Sequence, residues 1–171
     1  MATEAAVRSQ EPTRARYPDE EGFVERDGVK LFYEVYGEGE PTIFLLPTWS
    51  LVHSRYWKAQ IPYLARHFRV LTYDGRGNGK SDRPQDAASY GPPESQADAI
   101  AVMAATGTGD VVTVSSSYGT LPNLLLAATE PRVKGAVFIG PFFPVAEPHP
   151  GWITQPIKTA RESYEGWEKY N

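Results

Sequence analysis

The sequence of 171 residues contains no cysteine, which excludes disulfide bonds and thiolate chemistry. It also lacks any run of about 18 consecutive apolar residues, so we predict no membrane-spanning helix. No apolar core follows the charges over residues 1–22, so this stretch does not have the pattern of a secretory signal peptide. The absence of cysteine fits a cytoplasmic protein.

An excess of positive charge is missing as well. The chain has 17 Lys and Arg against 21 Asp and Glu, a formal net charge of −4, and its basic residues are scattered. Nucleic acids and anionic membranes are bound through concentrated basic patches, so we expect neither as a partner. Hydrophobic residues make up 41% of the chain, which is ordinary for a soluble domain with its own core. The sequence carries no signal for an oligomeric state.

Three segments of the chain differ in composition. Residues 1–20 are polar and charged without apolar periodicity, and we predict a flexible arm there. Residues 21–140 contain the apolar runs and are expected to form the core. Residues 141–171 begin with a proline-rich stretch and then turn polar and aromatic, which we interpret as the start of a lid segment.

Strand-like and helix-like runs alternate within residues 21–140. Asp27-Gly28 lies between two strand-like runs and predicts a two-residue β-hairpin. Further apolar strands are predicted at 42–46, 69–74, 111–114 and 133–139. This alternation predicts a three-layer α/β fold, in which a mostly parallel sheet is preceded by an antiparallel hairpin.

Helices are predicted between these strands, the first beginning near Pro62. The second follows a loop over residues 84–93; Ser95 and Asp98 are read as a capping box that starts it, and Gly107 ends it. Its predicted inward face is Ala97, Ile100, Ala101 and Ala104. The third helix stops at Glu130-Pro131, and its predicted inward face is Leu121, Leu124, Leu125 and Ala128.

The stretch Val111–Thr120, VVTVSSSYGT, joins an apolar strand to a leucine-rich helix. A strand that turns through Ser-x-Ser-x-Gly directly into a helix is close to the nucleophile elbow of serine hydrolases. The tight turn needs small residues two positions before and two positions after the nucleophile. Counting back from Gly119 selects Ser117, whereas Ser116 is disfavoured because Tyr118 would fill its small position. The alternative interpretation is a serine-rich turn in which a hydroxyl caps the helix.

The loop from Asp74 to Ser81 is rich in glycine and ends in Lys-Ser, as a phosphate-binding P-loop does. A P-loop needs glycine where this chain has Asp74, and a helix that opens at Lys80-Ser81, which Pro84 opposes. We therefore disfavour nucleotide binding, and we expect Asp74 to brace the loop through backbone amides.

With these landmarks in order, the chain resembles the α/β-hydrolase superfamily, in particular its soluble esterase-like and haloperoxidase-like branch. The resemblance covers Gly22 to Gly140, the N-terminal portion of that fold. It rests on four landmarks: the hairpin, the strand ending in Pro47-Thr48-Trp49, the loop Tyr73–Ser81 and the elbow. The loop matches the family pattern D-x-R-G-x-G-x-S. It implies that the C-terminal part of the fold is missing from this chain.

The resemblance implies Ser117 as nucleophile and an oxyanion hole made of two backbone N–H groups. One belongs to Tyr118 and the other to Trp49, at the third position of a loop that reads His-Gly-x in the family. Trp49 has an alternative role as a cover over the core. Thr48 and Ser115 each stand where the family has glycine.

The implied substrate is a small molecule with an ester or similar acyl bond, and no cofactor or metal is implied. A serine nucleophile argues against the haloalkane dehalogenase and epoxide hydrolase branches, which need a carboxylate at that position.

A serine hydroxyl becomes nucleophilic only when a histidine takes its proton and a carboxylate orients that histidine. In the family both partners follow the serine, and the one histidine after Ser117 in this chain is His149, in a proline-rich segment. Its pairing with Glu147 is disfavoured, because two residues so close in sequence rarely supply the triad geometry. We therefore expect the acid and the histidine beyond Asn171, and this chain alone to be inactive. His53 and His67 precede the serine and are expected at the surface or the edge of the core.

The sequence is compatible with two functions. The first is a cofactor-independent serine hydrolase. The second is a non-catalytic binding or interaction protein with the same fold, which the departures at Pro47, Thr48 and Ser115 favour. A third function, an NTPase built on the Gly75–Ser81 loop, would require magnesium-dependent nucleotide binding, which we predict to be absent.

Overall fold

The computed structural model describes residues 15–48 and 52–141. Trp49, most of the predicted arm and, apart from residue 141, the predicted lid over 141–171 lie outside the described residues. The described end of the arm is hydrogen-bonded to a helix end and to a strand of the fold. Arg16 Nη1 donates to the Ala65 carbonyl at 3.1 Å, and the Asp19 amide donates to the Val35 carbonyl at 2.9 Å.

Six strands form one sheet in the order β1-β2-β4-β3-β5-β6. They are β1 (Glu20–Arg26), β2 (Val29–Tyr36), β3 (Thr42–Leu45), β4 (Val70–Tyr73), β5 (Val111–Ser116) and β6 (Val133–Ile139). β2 pairs antiparallel with β1 and β4, whereas β3 pairs parallel with β4 and β5, and β5 with β6. The predicted hairpin followed by a parallel sheet is confirmed.

The hairpin turn consists of Asp27 and Gly28, because Arg26 already pairs with Val29. Both turn residues have positive φ, 52° and 75°. This is the backbone that a two-residue turn between twisted strands requires, and Asp-Gly adopts it at little cost.

Helices cover the two faces of the sheet. The α-helices are α1 (Ile61–Leu64), α2 (Pro92–Ala105) and α3 (Thr120–Thr129), and short 3₁₀ turns lie at Ser54–Trp57, Ala87–Tyr90 and Ser117–Gly119. α2 and α3 pack with Phe44, Leu71 and Val111 on one face. Trp57 and α1 pack with Ile43 and Leu45 on the other. All four residues of β3 are buried, as expected for a strand covered on both sides.

The predicted start of α2 is wrong, because the helix begins at Pro92 and not at a capping box. Proline needs no amide partner in the first helical turn, so two prolines start the helix three residues before Ser95. Ser95 Oγ donates instead to the Gly91 carbonyl at 3.2 Å. The buried face also differs from the predicted one and consists of Asp98, Ala99, Val102 and Met103.

The predicted end of α2 at Gly107 is confirmed. Gly107 has φ +58°, its amide donates to the Ala104 carbonyl at 3.2 Å, and the Thr108 amide donates to the Met103 carbonyl at 2.9 Å. These two bonds and the left-handed glycine form a Schellman cap.

The predicted inward face of α3 is also wrong. Leu124 is 45% exposed and Ala128 is exposed, whereas the buried residues are Thr120, Pro122, Asn123 and Leu126. The helix continues directly from the turn at Ser117–Gly119, so that turn sets its phase and points polar residues inward. The predicted stop at Glu130 is confirmed.

A buried ion network joins the hairpin, the glycine-rich loop and α2. Asp98, whose side chain is 1% exposed, accepts from Arg26 Nε at 2.7 Å and from Arg76 Nε at 2.7 Å. Arg26 also binds Glu94, and this hydrogen bond holds the pKa of the Glu94 carboxyl below its ordinary value. Two guanidinium groups therefore depend on one buried carboxylate.

We expect Asp98→Ala to destabilise the protein by about 3 kcal/mol, because it leaves Arg76 buried without its bidentate partner. The control is Asp110→Ala, which removes an exposed ion pair with Lys134 and should change stability by at most about 0.5 kcal/mol. Urea unfolding of the protein expressed from its complete reading frame measures both. Equal midpoints for the two variants would contradict the network's role.

Candidate active site at the strand-to-helix turn

Ser117 lies at the sharp turn between β5 and α3, in a left-handed conformation. Its φ is +51°, and among the described residues the other non-glycine residue with positive φ is Asp27 in the hairpin turn. Ser117 is exposed, whereas Ser115 and Ser116 are buried. Left-handed backbone at a residue other than Gly, Asn or Asp is uncommon and concentrates at functional sites. The structure therefore distinguishes Ser117 from the two serines before it.

Gly119 makes this turn possible because it packs directly against the loop after β3. A Cβ atom at Gly119 would overlap the carbonyl oxygen of Pro47 and would lie 3.5 Å from the Cα of Thr48. The backbone on both sides is fixed, since Leu46 donates its amide to the Val114 carbonyl at 2.9 Å. The elbow and the Pro47-Thr48 loop are thus in contact through backbone atoms.

Ser115 occupies the first small position of the elbow and is fully buried. Its hydroxyl accepts from Asn123 Nδ2 at 2.8 Å and donates to the Val137 carbonyl at 3.4 Å. Asn123 Nδ2 also reaches that carbonyl, at 3.5 Å. The side chain that replaces glycine here is therefore accommodated by a partner from α3 and a partner from β6.

Ser116 points toward the opposite face of the sheet. Its Oγ lies 3.3 Å from the hydroxyl of Tyr56, and Tyr56 packs edge-on against Trp57 with ring centroids 5.0 Å apart. Trp57 is itself anchored, since its Nε1 donates to the Leu46 carbonyl at 2.9 Å. The 3₁₀ turn at Ser54–Trp57 therefore borders the elbow.

Tyr118, the predicted oxyanion-hole donor, follows Ser117 at the start of the same turn. Its ring is half-buried, and burial raises the pKa of its hydroxyl above the ordinary value. The phenol therefore stays neutral at physiological pH. The second predicted donor, Trp49, lies outside the described residues, but its neighbour Thr48 is buried beside Gly119.

Asp74 braces the glycine-rich loop, as predicted. Its carboxylate accepts from the Lys80 amide at 2.9 Å and from the Ser54 amide at 2.8 Å, and a Cβ atom at Gly79 would overlap it. Ser81 Oγ donates to the Asp74 carbonyl at 2.6 Å. The Lys80 amide, which would face a phosphate in a P-loop, is thus already hydrogen-bonded to the Asp74 carboxylate.

The described histidines make local contacts only. His53 is exposed and its Nδ1 accepts from the Arg55 amide at 3.2 Å, at the start of a 3₁₀ turn. His67 is exposed and lies edge-on to Tyr63, with centroids 5.9 Å apart. Neither forms a hydrogen bond with Ser117 among the described residues. His149 lies outside them.

Residues 15–48 and 52–141 contain neither a metal-binding cluster nor a membrane-spanning helix. This part of the chain brings no three His, Asp or Glu side chains together in a way that could hold a metal ion. It also contains no helix with the length and apolarity needed to cross a bilayer.

A six-stranded α/β sheet with a strand-turn-helix elbow defines the class of an α/β hydrolase. The family model for the alpha/beta hydrolase fold matches residues 41–170, so the chain belongs to that family. The chain is 36% identical over 117 residues to a non-heme haloperoxidase of Rhodococcus erythropolis, an alignment that covers 67% of this chain and 41% of the relative.

Solved structures show the same fold. An epoxide hydrolase of Vigna radiata, VrEH1, superimposes with a TM-score of 0.67 and 27% identity, over 85% of this chain and 46% of that one. Est816, described as an N-acyl homoserine lactone degrading enzyme, gives a TM-score of 0.63 and 33% identity, over 70% of this chain and 45% of that one. The chain spans less than half the length of each of these proteins, and their named reactions differ.

Two residues at the site were not predicted from the sequence. Asn123 interrupts a leucine-rich helix eight residues after Ser115, and a polar residue at that point was the available signal. Tyr56 carried no signal, because its contact with Ser116 spans 60 residues of sequence.

We expect Gly119→Ala to destabilise the protein by about 2 kcal/mol or more, because the new methyl group meets the Pro47 carbonyl and not a movable side chain. Gly109→Ala is the matched control, since its nearest contact is Glu40 Oε1 at 3.9 Å, and its stability should change by less than about 1 kcal/mol. Thermal unfolding compares the two. An unchanged melting temperature for Gly119→Ala would show that the turn does not depend on this contact.

We expect no magnesium-dependent binding of ATP, because Asp74 occupies the loop where a phosphate would sit. Isothermal titration calorimetry with Mg-ATP at millimolar concentration measures this, with Lys80→Ala as the control. Heat that saturates in the wild type and disappears in Lys80→Ala would overturn the interpretation of the loop.

Proposed function

We propose that this chain carries the nucleophile of a serine hydrolase that cleaves an ester or a similar acyl bond in a small molecule. Ser117 is the proposed nucleophile, and the backbone N–H groups of Tyr118 and Trp49 are the proposed oxyanion donors. The protein needs no cofactor for this chemistry in the proposed scheme, and a cytoplasmic location fits the absence of cysteine.

The observation that carries the proposal is the backbone of Ser117. A hydroxyl cap on a helix needs only ordinary extended geometry, so it gives no reason for a serine at φ +51°. A nucleophile elbow needs this conformation, because it exposes the hydroxyl above the sheet while the chain reverses into α3. The exposure of Ser117 beside two buried serines supports the same interpretation.

The proposed reaction begins when Ser117 Oγ attacks the acyl carbon and its proton passes to a histidine base. The carbonyl oxygen becomes an oxyanion held by the two amides, and the alcohol leaves after protonation by the same histidine. Water then releases the acyl group and regenerates the serine. The base and its acid partner are expected on residues outside those described.

The names of related proteins support acyl chemistry only in part. A lactone is a cyclic ester, so the similarity to Est816 favours an ester bond. The epoxide hydrolase branch needs a carboxylate nucleophile, and Ser117 stands at that position in this chain.

The second candidate is a binding protein with the same fold and no catalysis. Thr48 favours it, since this residue is 5% exposed and crowds the loop where the family has glycine. Both candidates place the site at the turn that carries Ser117, and the reactivity of Ser117 separates them.

A fluorophosphonate probe should label the protein expressed from its complete reading frame, at Ser117. Ser117→Ala should abolish labelling and lower hydrolysis of a p-nitrophenyl ester at least about a thousandfold. Ser116→Ala is the matched control and should keep both activities. Mass spectrometry of the peptide that contains Ser117 locates the label.

Two results would contradict the proposal, the first its catalytic activity and the second its choice of nucleophile. Absence of labelling in a folded wild-type protein would favour the binding protein, and a label on Ser116 would place the nucleophile one residue earlier.

A further inference from the structure

Asn123 is a fully buried polar residue on α3, and its side chain faces the strand that leads to Ser117. It donates to Ser115 Oγ at 2.8 Å, two residues before Ser117, and approaches the Val137 carbonyl of β6 at 3.5 Å. One side chain therefore joins the two strands and the helix that meet at the elbow.

This arrangement is unfavourable for stability alone. Asn123 Oδ1 finds no hydrogen-bond partner among the described residues, and a buried acceptor without a partner is destabilising. An apolar side chain of similar size would fill the space between α3 and the sheet without that penalty. A role in the site explains why an amide lies at this position.

Ser115 supplies the reason for the amide. Its side chain stands at a position where the elbow favours glycine, and its hydroxyl is fully buried. Without Asn123, that hydroxyl would keep only the long bond to the Val137 carbonyl, at 3.4 Å. The end of β5 would then lose its strongest side-chain restraint at the point where the chain enters the left-handed conformation of Ser117.

We propose that Asn123 is a positioning residue: its hydrogen bond to Ser115 holds the end of β5 so that Ser117 keeps its left-handed backbone. The inference rests on the proposed function for its catalytic consequence, whereas its structural part concerns only the backbone of Ser117. Asn123 itself touches no substrate in this scheme.

The test is a double-mutant cycle between Asn123→Leu and Ser115→Gly in the protein expressed from its complete reading frame. With Ser115 present, Asn123→Leu should slow fluorophosphonate labelling about tenfold, because the nucleophile is no longer held in place. In the Ser115→Gly background the same change should alter the rate less than about threefold, since glycine has no hydroxyl to hold. The melting temperature of Asn123→Leu should stay well above the temperature of the labelling assay, so that slower labelling reflects the site and not unfolding.

Crystal structures of wild type and Asn123→Leu supply a readout that does not depend on reactivity. We expect Ser117 to leave positive φ, or to occupy two conformations, in the variant. If wild type is not labelled, the proposed function fails, and this backbone comparison still decides the role of Asn123. An unchanged φ at Ser117, or equal rate effects of Asn123→Leu in both backgrounds, would overturn the inference.

Discussion

The contact between Gly119 and the carbonyl oxygen of Pro47 is the constraint on which the site depends. It brings the turn after β5 against the loop after β3 with no side chain between them. That proximity brings the backbone of two separate loops together in the turn that carries Ser117. It also sets the phase of α3, which explains why Thr120 and Asn123 are buried while Leu124 is exposed.

Two buried carboxylates hold the loops around this contact in place. Asp74 binds the amides of Ser54 and Lys80 and thereby connects the turn beside the elbow to the glycine-rich loop. Asp98 then ties Arg76 of the same loop to the hairpin through Arg26. Both carboxylates are nearly inaccessible to solvent, so loss of their partners would leave a buried charge uncompensated. The end of the sheet that carries Ser117 is held by these few polar bonds as well as by its apolar core.

The strands and the elbow could be predicted because their signals are local. Asp27-Gly28 specifies its own turn, four apolar residues specify β3, and Gly119 fixes the register of the serines. The faces of α2 and α3 could not, because Asp98 and Asn123 are buried by partners far away in sequence. Hydrophobic periodicity assigns polar residues to the surface. This assignment is wrong where a polar side chain has a buried hydrogen-bond partner.

The left-handed backbone of Ser117 also determines which other residue types the turn can carry. Asparagine and aspartate are the non-glycine residues most tolerant of positive φ. An aspartate at this position would meet the same backbone demand and would present a carboxylate above the sheet in place of a hydroxyl. The backbone of this turn therefore accepts either a hydroxyl or a carboxylate at the same point of the fold. Such a turn explains how one fold comes to be shared by proteins whose named reactions have so little in common.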